Sequence, residues 1–321
     1  MLRCTTFALA LCLLTAACGP TGSGPSDDDD DTLVDARVDA FVSTGDGGGE
    51  EEGCAKIDIL FVVDNSGSMA QEQANLATNF PQFISVIEAS GLDYRVAITT
   101  TGMDFTYNQA LFPGGPVIPN TQDGGDNGAM LQPAGCNLPR RWLQLGDPNP
   151  AAAFACAANV GTSGPSDEMP LAAMRAAFED RVADGTNAGF RRPDALLAVV
   201  MLTDENDCSY EQTVTLGFSE FLCESQMEPP ANYVTFLDQL TGERGRWATA
   251  IIAGAGPGDC SSTFGDADYA ERLAQFASSA GPANAVLSSI CVGDLTVGLS
   301  DALELFDTAC QNFPPIGRAP R

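Results

Sequence analysis

The sequence predicts an α/β domain built on one central, mostly parallel sheet with helices on both faces, and three observations lead there. The run Ile59-Leu60-Phe61-Val62-Val63 and the run Ala195 to Thr203 (ALLAVVMLT) are apolar without alternation and stop abruptly at polar residues. That is the pattern of strands covered on both sides. Strand-like and helix-like periods then take turns along the chain, joined by Gly-rich connections, as in a doubly covered sheet. Finally, each of the two apolar runs delivers an aspartate, Asp64 and Asp204, at its carboxyl end, the edge at which open α/β sheets bind ligands.

Residues 1–17 read as a secretory signal. Arg3 supplies a basic start, Phe7 to Leu14 is an apolar core too short to span a bilayer, and Thr15-Ala16-Ala17 leads into Cys18. This ending resembles a bacterial lipobox, although Thr15 stands where leucine is usual. The resemblance implies that Cys18 is lipidated and opens the mature chain, and Gly19 resembles the residue of lipoproteins sent to an outer membrane. Simple secretion is the alternative. Residues 18–53 then form an acidic linker, with Asp27 to Asp31, Asp35, Asp39, Asp46 and Glu50 to Glu52 against a single base, Arg37. Self-repulsion and the lack of burying side chains predict a disordered tether.

The globular part is expected over residues 54–313. It opens with KIDILFVVDNSGSM, in which Asp64, Ser66 and Ser68 alternate in a tight loop where Gly67 lets the backbone turn. One carboxylate and two hydroxyls make a hard, oxygen-only donor set, suited to a magnesium-like ion. The motif, following a buried strand, resembles the metal-ion-dependent adhesion site of the von Willebrand factor type A domain, whose pattern is Asp-x-Ser-x-Ser. That resemblance implies a three-layer, Rossmann-like fold with the ion at the carboxyl end of the sheet. It also implies two more ligands. One is a threonine before a helix, matched by Thr162 with Ser163 as the fallback; the other is an aspartate ending a later strand, matched by Asp204. Asp167 and Glu168 are read as favouring the helix start rather than binding metal.

The remaining elements follow in order. Gln71 to Ala89 is a helix with Leu76, Phe80, Phe83, Ile84 and Ile87 on one face and Pro81 inside it. Asp93 to Thr101 is a strand. Residues 102–160 are a long irregular insertion rich in Gly, Pro and Asn, expected near the metal-bearing end and braced by a disulfide. Its Trp142 and Phe154 are candidates for partner contacts or for the loop's own small core. Pro170 to Val182 is an amphipathic helix with Leu171, Met174, Phe178 and Val182 on a shared face. Asn232 to Leu240, Asp268 to Ser278 and Leu295 to Ala309 are helices, Trp247 to Ala253 a buried strand and Val286 to Ile290 an edge strand. Residues 314–321 are a tail.

Cys4 and Cys12 leave with the signal, and eight further cysteines remain after Cys18. An even number in an exported chain predicts disulfides. The pairing expected is Cys136–Cys156, Cys208–Cys223, Cys260–Cys291 and, joining the two ends, Cys54–Cys310. No pair has the CxxC spacing of a zinc site. The net charge of −28 repels nucleic acid and anionic membrane, leaving the lipid anchor as the membrane attachment. Histidine is absent, and with it the usual zinc ligand and general base.

These features point to recognition rather than turnover. A Mg²⁺ ion, or Mn²⁺ or Ca²⁺, is expected at Asp64, Ser66, Ser68, Thr162 and Asp204, completed by a Glu or Asp of an extracellular or envelope protein, or by a glycan. The alternative is a structural or assembly subunit of an envelope complex in which the ion only ties loops together. Glu205 and Asp207 read as solvated loop charges at a disulfide-braced rim, with a second ion or the base of a hydrolase as the alternatives. The latter lacks a GxSxG elbow and a lysine cluster.

Overall fold

An unbroken apolar run can satisfy itself only with core on both sides, and β1 (Lys56–Val63) stands inside a six-stranded sheet. The computed structural model describes residues 53–263 and 265–314. The signal, Cys18, the linker as far as residue 52 and residues 315–321 lie outside the described residues. The spatial order is β11 (Ala285–Ser289), β8 (Trp247–Ala253), β6 (Leu196–Leu202), β1, β2 (Asp93–Thr100) and β5 (Leu143–Gln144). All neighbours pair in parallel except β5, which is antiparallel to β2. Val63 faces Thr100 on one side and Leu202 on the other. Three strands therefore end in line, and Asp64, Thr101 and Thr203 leave the sheet side by side.

Alternate residues of the same strands feed two cores. Ile57, Ile59, Phe61 and Val63 pack under α1 (Ala70–Ala89), α2 (Pro150–Ala157) and α7 (Thr296–Gln311). Leu60, Val62, Leu197, Val199 and Met201 pack under α3 (Pro170–Phe178), α5 (Pro230–Thr241) and α6 (Glu271–Ala280). The result is an α/β domain with a mixed, mostly parallel sheet between helices. Four disulfides brace it: Cys54–Cys310 ties the start of β1 to the end of α7, Cys136–Cys156 ties the middle of the 102–160 insertion to its own helix α2, Cys208–Cys223 closes the loop after β6, and Cys260–Cys291 joins a hairpin to the end of β11. Among the described residues no helix is long and apolar enough to cross a membrane.

Some elements differ from the sequence expectation. The helix expected over Pro170 to Val182 is broken at Glu179 (φ −109°, ψ −75°) into α3 and α4 (Asp180–Ala183), and Val182 is exposed rather than on the core face. The insertion is not irregular throughout. It holds a hairpin of β3 (Phe105–Ala110) and β4 (Val117–Gln122), extended by β7 (Thr215–Leu216) into a side sheet, and then β5 and α2. It starts at the carboxyl end of the sheet, where a Cβ on Gly102 would lie 2.9 Å from Pro165, and returns along the β2 edge. Phe154 is fully buried, its ring 4.8 Å from that of Phe61. It is therefore a core residue, not a partner contact. Half-buried Trp142 packs edge-on to Phe190 with Arg95 over its ring. A second hairpin, β9 (Cys260–Ser262) and β10 (Gly265–Ala267), stands beside the metal loop.

Candidate metal centre

Asp64 is the first residue beyond β1 and is fully buried, its amide bonded to the Leu202 carbonyl at 2.9 Å. Its Oδ1 accepts the Ser66 amide at 2.7 Å and its Oδ2 accepts the Thr203 hydroxyl at 2.6 Å. The turn thus locks onto the aspartate that begins it. Ser66 Oγ and Ser68 Oγ are 3.1 Å apart, and the Ser68 hydroxyl also contacts Asp204. Gln73, buried in the first turn of α1, donates to the carbonyls of Asp64 and Gly161 at 2.8 Å each, tying the metal loop to the segment before α3. Asp64, Ser66, Ser68 and Asp204 are brought together as the sequence predicts.

Thr162 and Ser163 are exposed, as is Ser68, and from the segment before α3 the side chain lying against Asp64 is that of Glu168. The backbone explains the arrangement. Gly164 donates to the Asn65 carbonyl at 2.8 Å, and a Cβ on it would sit 2.3 Å from Asn65 Oδ1. The chain therefore passes the metal loop at glycine, with Pro165 buried beyond it, and Glu168 is the first buried carboxylate of the segment. Glu168 is 1% exposed, its Oε2 accepts the Thr101 hydroxyl and its Oε1 has no partner. It does not cap α3 as the sequence suggested. The Leu171 amide bonds Asp207 Oδ1 at 3.1 Å and the Ala172 amide bonds Ser209 Oγ at 2.9 Å.

The electrostatics of the centre are one-sided. Burial, followed by the charge of Asp64, pushes the Glu168 carboxyl up to about 9. Burial likewise raises Asp64 against the lowering bonds from Thr203 and Ser66. Asp204 is pushed up to about 6 and Glu205 to about 7, in both cases by burial first and neighbouring carboxylates next. Among the described residues no Lys or Arg forms a salt bridge with Asp64, Glu72, Glu168, Asp204 or Glu205. Among the described residues, three buried carboxylate oxygens of the centre lack a hydrogen-bond partner, Asp204 Oδ1, Glu168 Oε1 and Glu72 Oε2, as do the amide oxygens of Asn65 and Gln73. Buried anions demand a counter-charge. A hard divalent cation fits these residues, because every donor is oxygen and orphaned carboxylate oxygens remain to meet it.

Two neighbouring acidic groups do different work. Asp207 is fully committed, paired with Arg272 at 3.1 Å and accepting from Ser209 and Leu171, so it is neither a second-ion ligand nor a free base. Asp167 lies close to the sulfurs of Cys208 and Cys223, but those sulfurs form a disulfide and cannot act as thiolate ligands. Beside the centre a cleft of about 480 Å³ opens between the metal loop and the β9–β10 hairpin, lined by Ser68, Glu72, Asp204, Glu205, Asp266 and Asp268 among others. Gly265 at φ +147° lets the hairpin approach, since a Cβ there would lie 1.8 Å from Glu72 Oε1.

No family model matches the chain, and no curated protein matches it. Among solved structures the chain is similar to proximal thread matrix protein 1 from the mussel byssus, with 12% identity, 79% of this chain and 49% of that one covered, and a TM-score of 0.41. It is also similar to the pilus adhesin SpaC from Lactobacillus rhamnosus GG, with 14% identity, 81% and 32% covered and a TM-score of 0.41. A third likeness is to the pilus adhesin RrgA from Streptococcus pneumoniae, with 12% identity, 48% and 21% covered and a TM-score of 0.29. The chain spans about half or less of the length of these structures.

Proposed function

We propose that this chain carries a von Willebrand factor A-like domain that holds a divalent cation at the carboxyl end of β1 and β6 and recognises a partner through it. The observation that carries the reading is the convergence of Asp64, Ser66, Ser68 and Asp204 with a buried, unpartnered Asp204 Oδ1 and, among the described residues, no Lys or Arg salt bridge to answer the carboxylates. The candidate ions are Mg²⁺, Mn²⁺ and Ca²⁺. When bound, the ion supplies an electrophilic position that an oxygen of the partner can occupy. The chain's own residues prepare it. Asp64 is oriented by the Ser66 amide and the Thr203 hydroxyl, so its carboxylate is fixed before any ligand arrives. Ser68, exposed at the cleft, marks the side from which a partner group enters. The partner group expected is a Glu or Asp of an extracellular or envelope protein, or a glycan oxygen, consistent with an exported lipoprotein tethered through Cys18 or a secreted protein. The role proposed is binding rather than turnover: the chain has no histidine, and the cleft lining among the described residues carries no Lys or Arg to stabilise developing negative charge.

One observation favours a second reading, in which the cation is only structural. Asp64 and Glu168 are both buried to 1% or less, so an ion between them would tie the ends of β1 and β2 to the segment before α3 without meeting solvent. Calorimetric titration of Mg²⁺, Mn²⁺ and Ca²⁺ into the oxidised chain and its Asp64→Ala form tests the shared premise of a cation site. Comparison with Ser68→Ala separates the two readings. In the recognition reading Ser68→Ala weakens ion-dependent partner binding while leaving the melting temperature in place. In the structural reading ion binding and melting temperature fall together in Asp64→Ala, and no ion-dependent partner exists.

A further inference from the structure

We infer that Glu168 is a direct ligand of the cation, taking the position that the resemblance assigns to a threonine, and that this makes the centre a three-carboxylate site selective for Ca²⁺ over Mg²⁺. The inference rests on the proposed ion site and names its coordination and ion class.

Glu168 is held as a ligand would be. Its backbone is fixed from two sides: the Met169 amide bonds the Thr101 carbonyl at 3.2 Å, and the Cys208 amide bonds the Glu168 carbonyl at 2.8 Å. The Thr101 hydroxyl occupies one carboxylate oxygen and leaves Oε1, buried and unpartnered, on a side chain that lies against Asp64. Every other purpose for a buried glutamate is already served by another group. Helix α3 is capped by Asp207 and Ser209. The nearby arginines have their own acids, Arg175 with Glu228 at 2.9 Å and Arg272 with Asp207. Two carboxyls in contact at nearly zero exposure repel once both are ionised; a shared proton holds them in the metal-free protein, and a cation between them converts the repulsion into binding.

The donor count then decides the ion class. Asp64, Glu168 and Asp204 bring three carboxylates, and Ser66 and Ser68 bring two hydroxyls. Five oxygen side chains, any carboxylate of which can bind through both oxygens, suit an ion of six to eight ligands and flexible geometry. Mg²⁺ asks instead for a strict octahedron, keeps its waters and commonly uses one or two carboxylates. A threonine at this position would leave the lower-charge set that Mg²⁺ accepts.

The test is titration of Ca²⁺, Mg²⁺ and luminescent Tb³⁺ into the oxidised full chain and its Glu168→Gln, Glu168→Thr, Thr162→Ala and Asp64→Asn forms. Melting in EDTA confirms that each is folded. Wild type is expected to prefer Ca²⁺ to Mg²⁺ by about tenfold or more. Glu168→Gln should lose about tenfold to a hundredfold in Ca²⁺ affinity, the range seen when even an indirect metal-supporting group is removed, together with its Tb³⁺ emission. Glu168→Thr should reverse the preference toward Mg²⁺, and Thr162→Ala should bind like wild type. Ca²⁺ binding that survives in Glu168→Gln but disappears in Asp64→Asn would overturn the Glu168 assignment while keeping the ion site. Loss in Thr162→Ala would restore the threonine. A wild type that binds none of the ions would overturn both the assignment and the site.

Discussion

In the metal-free protein, Glu168 makes stability fall as pH rises, and the size of the fall follows from its surroundings. Burial and the facing Asp64 carboxyl push its folded-state pKa up to about 9, from an ordinary glutamate value near 4.5. A carboxyl raised on folding contributes its stability fully below the unfolded value and loses it as pH climbs toward the folded one. The window is therefore pH 4.5 to 9, and each unit inside it costs about 1.4 kcal/mol. Between pH 5 and 8 the loss amounts to roughly 4 kcal/mol, divided between Glu168 and Asp64 because the two share the proton. At about 2–4 °C per kcal/mol for a domain of this size, the metal-free melting temperature falls on the order of 10 °C. Glutamine cannot ionise. Calorimetric melting in EDTA should therefore show Glu168→Gln gaining on wild type steadily from pH 5 to pH 8, and saturating Ca²⁺ should remove most of the wild-type decline. A difference between the two proteins that is the same at pH 5 and pH 8 would refute the reasoning, because it would mean that Glu168 does not ionise against its surroundings in that range.

Three further outcomes are expected. Replacing Cys54 and Cys310 by serine opens a loop with a sequence separation of 256 and should cost about 5 kcal/mol on the chain-entropy account, read by urea unfolding under oxidising conditions. Arg272→Met leaves Asp207 fully buried without its 3.1 Å partner and should cost about 3–5 kcal/mol, with amide exchange accelerated first in α3, whose amino end Asp207 caps. Gly164→Ala puts a Cβ 2.3 Å from Asn65 Oδ1, an overpacking of about 1–3 kcal/mol, and calorimetric titration should show weaker cation binding because Asn65 lies inside the metal loop.

The fold was legible wherever both faces of a strand are buried. β1, β6 and β8 carry few polar residues that alternation could assign to solvent: half-buried Lys56 opens β1, and Asp58 and Thr249 are fully buried. Asp58 is answered at 2.7 Å by Arg192, 134 residues further on. The DNSGS turn was legible because its ligands alternate within five residues. The β3–β4 hairpin was not, because its side chains enter neither main core and its apolar residues Val117 and Ile118 are exposed at 48% and 39%. The burial of Glu168 against Asp64 was not legible for a related reason. A glutamate just before a helix looks local, and the sequence does not disclose that α3 takes its cap from Asp207, 36 residues beyond Leu171. The available signal was its setting, an acid between Asp167 and the apolar Met169-Pro170-Leu171, entering a helix face that would bury it.

Calorimetric titration of Ca²⁺ and Mg²⁺ into the oxidised chain, beside its Asp64→Ala form, tests the central claim most directly. The account predicts about one saturable ion per chain in the wild type, with Ca²⁺ bound more tightly, and no saturable binding once Asp64 is removed. An absence of binding at millimolar ion, or binding that Asp64→Ala leaves intact, would contradict it: the buried carboxylates around Asp64 would then be held by shared protons, and the adhesion-type motif would be a turn and nothing more.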